Sequence, residues 1–142
     1  MKITFISDTH NMHDKLELTP GEILVHSGDF SNRGTFQEIV LFNNWLKSQP
    51  FKYKILIAGN HDFLFESDPS LAESLLDSSI TYLRDSFTVI NGLKIYGSPI
   101  TPWFFNWAFN MPRGHEIARY WAQIPNQPIV TGKQVIRISL IH

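Results

Sequence analysis

Lys54-Ile55-Leu56-Ile57-Ala58-Gly59-Asn60-His61-Asp62 is an apolar β-type run that breaks directly into a polar cluster. The same arrangement stands twice upstream. Ile3-Thr4-Phe5-Ile6 leads into Asp8-Thr9-His10, and Ile23-Leu24-Val25 leads through His26 and Ser27 into Gly28-Asp29. Neighbouring strands of one sheet would bring these three ends to a common edge, although they lie far apart in the chain. Between the second and third runs, Thr35-x-x-Glu38 reads as a capping box. It opens a helix that extends through about Lys47. Phe36, Ile39, Val40, Phe42, Trp45 and Leu46 form a wide apolar stripe on it, and Pro50 lies beyond its end. Strand, helix and strand make a crossover unit, which is right-handed almost without exception.

Further along, Asp68-Pro69 starts a shorter helix, with proline at the first helical position. Three β-type runs follow at 80–83, 87–90 and 93–96, and Asn91-Gly92 between the last two is a type I′ hairpin signal. Pro112 through Ala122 reads as helical. Parallel crossovers giving way to hairpins predict an α/β protein, either one mixed sheet or two stacked sheets with helices outside.

The chain has 142 residues, is 43% hydrophobic and 18% charged, and carries a formal net charge of −1. These values fit a single globular domain over 1–142 and give no global electrostatic drive toward polyanions. Without cysteine, neither a disulfide framework nor a thiolate metal site is available. Met1-Lys2-Ile3 runs straight into a strand bearing site residues, and no apolar stretch is long enough to cross a bilayer. A cytoplasmic protein without membrane contact is therefore expected.

The three polar clusters supply two carboxylates, two imidazoles and a carboxamide, donors that suit divalent transition metals. Asp8 and His10, two apart in an extended strand end, would point the same way and reach one ion. Asp29 has two oxygens and could bridge cations about 3.5–4 Å apart, the spacing of two-metal hydrolases. Asn60 offers a neutral carbonyl oxygen to a second ion, or serves as a turn residue tolerant of positive φ. His13 in the first loop and Arg33 are candidate substrate contacts, and His26 a core hydrogen-bonding residue. Asp62 either orients His61 or caps the segment after it. Core packing accounts for most of the aromatic run from Trp103 to Phe109, with one or two rings able to stack on a nucleobase at a pocket rim.

Asp8-x-His10, Gly28-Asp29 and Gly59-Asn60-His61-Asp62, in this order, resemble the signature of the calcineurin-like metallophosphoesterases. Gly97-Ser98-Pro99, Trp103 to Phe109 and Met111-Pro112-Arg113-Gly114 resemble its small metallophosphoesterase-domain phosphodiesterases. The similarity covers roughly residues 1–125 and leaves 126–142 as a divergent tail. It implies a layered sandwich of mixed β-sheets flanked by helices, incomplete at the C-terminus. It also implies two divalent ions (Mn²⁺, Fe or Zn²⁺) held by Asp8, His10, Asp29 and Asn60, a phosphate ester substrate, for instance a nucleotide, and catalysis through Asp29 and His61. In the family the residue matching His61 faces the scissile phosphate as a non-ligand. Family members carry further histidine ligands later, where this chain offers only His142 as an additional metal ligand. The expectation is a metallophosphoesterase of weak activity. The competing expectation is a truncated, impaired relative that binds a phosphate-containing ligand or a partner. An exposed sheet edge would favour a homo-oligomer.

Overall fold

A computed structural model of the protein describes residues 1–126 and the backbone of two later strands at 130–131 and 135–140. The first three apolar runs form β1 (Ile3–Ile6), β2 (Ile23–His26) and β3 (Tyr53–Leu56), joined by β4 (Ile80–Tyr82). They pair in parallel in the order β1-β2-β3-β4, so the three polar clusters lie at one end of one sheet. The β3 ladder stops at Leu56, two residues before the apolar run ends, but Ile57 and Ala58 remain fully buried.

Helix α1 (Phe36–Ser48) connects β2 to β3. Its capping box is complete, with the Thr35 hydroxyl accepting from the Glu38 amide and the Glu38 carboxylate accepting from the Thr35 amide. Two short helices, α2 (Leu64–Ser67) and α3 (Pro69–Ser74), lead into β4, and Asp68 caps α3 by accepting from Leu71 N–H.

β5 (Ser86–Ile90) and β6 (Leu93–Ser98) form the antiparallel hairpin that Asn91-Gly92 predicts. Both turn residues are left-handed, at φ 50° and 79°, as a type I′ turn demands. Two-residue strands β7 (Thr101–Pro102) and β8 (Asn110–Met111) bracket the aromatic run, and α4 (His115–Ala122) follows. α4 starts later than the expected Pro112 because Gly114, at φ 88° and ψ −131°, is not helical. β9 (Val130–Thr131) pairs with β10 (Val135–Leu140), which lies antiparallel along the whole of β6. The architecture is α/β, with a parallel and an antiparallel sheet flanked by helices.

Alternation along the strands builds two cores. Ile23, Val25, Ile55 and Ile57 face the second sheet and meet Leu83, Ile90, Leu93 and Ile95. Leu24 and Leu56 face the opposite way, toward Ile39, Phe42 and Leu46 of α1. Each fully buried side chain of this size stabilises the fold by about 1.5–3 kcal/mol relative to exposure. The site therefore stands on a sheet buried on both faces.

The aromatic run departs from the expectation of core packing. Phe109 is buried, but Trp103, Phe104 and Phe105 are 55%, 62% and 72% exposed. Asn110 causes this. Its side chain accepts from Phe104 N–H and donates to the carbonyls of Phe104 and Phe105, closing a turn with Phe105 at φ 48°.

Candidate metal centre

The loop after β1 lies directly against the loop after β2. Asp8 N–H donates to Gly28 O at 2.9 Å, His10 N–H to Asp29 O at 3.1 Å, and Asn11 N–H to Phe30 O at 2.8 Å. This pairing forces Asp8, His10, Asn11 and Asp29 into left-handed backbone, at φ 52°, 40°, 64° and 55°. The reading of Asp8 and His10 as an extended strand end is thereby corrected. β1 ends at Ile6, and the curl beyond it directs these side chains. Asp, Asn and His are the non-glycine residues that tolerate the left-handed region best.

Gly28 and Gly59 make the close approach possible. A Cβ on Gly59 would stand 2.2 Å from both the amide nitrogen and Oδ1 of Asp29, and one on Gly28 would stand 2.8 Å from Gly59 Cα. Gly59→Ala is therefore expected to displace Asp29 and cost about 1–3 kcal/mol, as overpacking generally does. A thermal melt unchanged from the parent would contradict this.

His10, Asp29 and His61 each offer a donor atom, and these atoms lie within 4.8 Å of one another. Both imidazoles are held from behind. His10 Nδ1 is 2.9 Å from Ser31 O, and His61 Nδ1 is 2.9 Å from Asn32 O. A carbonyl only accepts, so each Nδ1 carries a proton and each Nε2 keeps its lone pair in the neutral ring. This is the usual way an outer partner fixes the tautomer of a metal-binding histidine. The two rings stand edge to face with centroids 4.8 Å apart. Asp29 is 3% exposed, and its Oδ1 accepts from His61 N–H at 2.9 Å. Two imidazoles and one carboxylate so preorganised fit a divalent transition ion.

Buried polar groups behind the site join its loops. Asp62, fully buried, neither touches the His61 ring nor merely caps a segment. Its Oδ2 accepts from Asp29 N–H at 2.9 Å and Gly59 N–H at 2.7 Å; its Oδ1 accepts from Ser31 N–H at 3.1 Å and Ser31 Oγ–H at 2.6 Å. Burial pushes its pKa up to about 7, while the Ser31 and Gly59 donors pull the other way. Glu38 holds the next part of the same loop, accepting from the Asn11 side chain at 2.7 Å and from Asn32 N–H at 3.0 Å. Burial works against its charge, but these donors and Thr35 outweigh it and lower its pKa to about 2. His26, fully buried, ties the first two loops: Gly28 N–H donates to its Nδ1 at 3.2 Å, and its Nε2 is 2.9 Å from Thr9 Oγ1. An amide N–H cannot accept, so Nδ1 holds the lone pair and the Nε2 proton goes to Thr9.

Asp8, His10, Asp29, Asn60 and His61 thus all stand at the carboxyl ends of β1, β2 and β3. Asp8 lines a groove of about 340 Å³ beside this end, with Ile6, Thr9 and Met12. His61 opens instead on a cleft of about 770 Å³ walled by Asn32, Arg33, Phe63, Phe104, Phe105 and Trp107. The Trp107 ring lies 4.1 Å, centroid to centroid, from that of His61. Arg33 is exposed on the cleft wall, whereas His13 is 7% exposed and packs against Phe42 and Trp45. Burial lowers the His13 pKa. His142 lies outside the described residues. Sequence reasoning missed Ser31 and Asn32, whose backbone carbonyls leave no side-chain signal.

Residues 1–131, nearly the whole chain, match the calcineurin-like phosphoesterase family. The chain belongs to that family. Calcineurin-like phosphoesterases are metal-dependent hydrolases, and the His10, Asp29 and His61 cluster is this member's candidate metal site. The chain is 39% identical to human metallophosphoesterase domain-containing protein 1, over 84% of this chain and 44% of the human protein. Two Caenorhabditis elegans relatives, the UPF0046 proteins C25E10.12 and K07C11.7, are 38% and 31% identical over 88% and 89% of this chain. They are covered over 50% and 48% of their own length, so the chain spans about half the length of these relatives.

Proposed function

We propose that this calcineurin-like phosphoesterase hydrolyses phosphodiesters with two divalent ions, Mn²⁺, Fe or Zn²⁺, held by Asp8, His10, Asp29 and Asn60. The observation that carries the reading is the convergence of His10, Asp29 and His61, with His61 opening on the aromatic cleft. Bound ions would neutralise phosphate charge and make water a stronger acid at neutral pH. Asp29 contributes the negative charge that favours cations at this point. His61, whose Nδ1–H is anchored on Asn32 O, would present Nε2 toward the leaving oxygen and, in its imidazolium form, serve as its proton donor. Arg33 on the cleft wall favours an anionic substrate.

The aromatic wall supports a phosphodiester with a planar group, such as a nucleotide, over a small alkyl ester. A base stacked on an aromatic side chain contributes about 1–3 kcal/mol. Trp107→Ala is accordingly expected to raise KM for bis(p-nitrophenyl) phosphate roughly 5- to 150-fold, with a smaller effect on kcat. The reading itself is tested by assaying that substrate after chelation and again after adding Mn²⁺, Fe²⁺ or Zn²⁺. Hydrolysis restored by one of them supports it; none with any metal would sink it.

A further inference from the structure

We propose that Asp62 is a positioning residue that fixes the orientation of both imidazoles of the metal centre through the turn formed by Asp29 to Asn32. The inference rests on reading His10 and Asp29 as metal ligands with the His61 imidazole beside them.

The geometry forms two connected tiers. In the outer tier, the successive carbonyls of Ser31 and Asn32 each hold one imidazole by Nδ1, at 2.9 Å in both cases. In the inner tier, Asp62 holds the turn that carries those carbonyls. Its Oδ1 takes both the amide and the hydroxyl of Ser31, and its Oδ2 takes the amides of Asp29 and Gly59. Ser31 and Asp62 are both fully buried, so no water replaces these bonds without opening the site. Asp29 is held at its amide by Asp62 and at its carboxylate by His61 N–H. Asp62 thus reaches all three donors of the cluster without being one of them.

All four partners of Asp62 donate, so a carboxylate satisfies them and a carboxamide cannot. In Asp62→Asn the NH₂ group must face either two amides or Ser31. Ser31 is the less costly choice, because its hydroxyl can reverse and accept. Its N–H then loses its partner, and its carbonyl loses its fixed direction toward His10. Ser31→Ala removes only the 2.6 Å hydroxyl bond and keeps the amide bond.

Both variants would be compared with the parent by far-UV circular dichroism, by long-range ¹H–¹⁵N NMR of the metal-free imidazoles, and by Mn²⁺ titration calorimetry. In the parent, His10 and His61 are expected as single Nδ1–H tautomers. In Asp62→Asn with its helical content intact, His10 is expected to show mixed tautomers and Mn²⁺ binding to weaken about 10- to 100-fold, as on loss of an outer partner. Ser31→Ala is expected to shift both readouts in the same direction by less.

A folded Asp62→Asn protein with parental tautomers and Mn²⁺ affinity would overturn the proposal, leaving Asp62 a purely structural carboxylate. Should Asp62→Asn not fold, Ser31→Ala decides: unchanged His10 resonances and Mn²⁺ affinity would overturn it. A parent that binds no Mn²⁺ would refute the metal-site reading instead, and the tautomer spectra would still test the positioning role.

Discussion

Asp29→Ala protein is expected to lose metal-dependent phosphodiester hydrolysis by at least about 10²-fold, the scale on which removing one electrostatic stabiliser acts in an active site. Asp29 supplies the carboxylate of the cluster, and the imidazoles of His10 and His61 in their neutral form cannot offset a divalent charge. The substitution also takes the acceptor from His61 N–H, a contact of 2.9 Å. Ligand charge and the placement of the neighbouring imidazole are therefore lost together. His10→Ala, which removes one neutral donor, is expected to retain more metal. Elemental analysis after dialysis against Mn²⁺ would check the order. Parental metal content in the Asp29 variant would refute it.

His26 is expected to contribute a loss of stability on acidification that begins just below neutral pH. Burial, with the nearby His13 adding to it, brings the His26 pKa down to about 3. In the unfolded chain a histidine titrates near 6.5. Below that pH the unfolded state takes up a proton that the folded state refuses, so the contribution of His26 to stability falls as pH drops from about 6.5 toward 3. The loss from this group alone is about 2 kcal/mol at pH 5 and on the order of 5 kcal/mol near pH 3. The hydrogen bonds agree in sign, because a protonated His26 would turn a second N–H against the Gly28 amide. Urea denaturation at pH 7, 6 and 5 would reveal the slope. His26→Leu is expected to be less stable at pH 7, having abandoned Gly28 N–H and Thr9, but to lose less stability than the parent as pH falls. The same pH dependence of the midpoint in parent and His26→Leu between pH 7 and pH 5 would contradict the assignment, because the opposite contribution of Asp62, whose pKa burial raises to about 7, is common to both proteins.

Much of this was legible in the residues because its causes are local. Thr35 and Glu38 announce the start of α1 by chemistry that closes within four residues, and Asn91-Gly92 announces its hairpin because both residues readily take the positive φ that a type I′ turn needs. The three apolar runs with their polar ends were legible too, because residues at the end of a parallel strand meet whatever ends the neighbouring strand. What stayed hidden depends on partners distant in sequence. The curl at Asp8 and His10 is imposed by amides bonding to Gly28 and Asp29, in another loop. Asp62 shows its purpose only once Ser31 and Asp29 are beside it. The exposure of Phe104 and Phe105 was misread because hydrophobicity records what a ring favours, while Asn110 decides where the turn carries it.

The bonds running between the three loops have a dynamic consequence. The loop after β1 hangs on Gly28, Asp29 and Phe30; the loop after β2 hangs on Asp62; and His61 hangs on Asp29 and Asn32. Although Glu38 of α1 also holds the loop after β2, each loop is held by atoms of another, so a large opening of one disturbs its neighbours. Opening at any one of them strips acceptors from the next, so the centre exchanges with solvent as one cooperative unit, with a free energy nearer to that of the buried sheet than to that of ordinary surface loops.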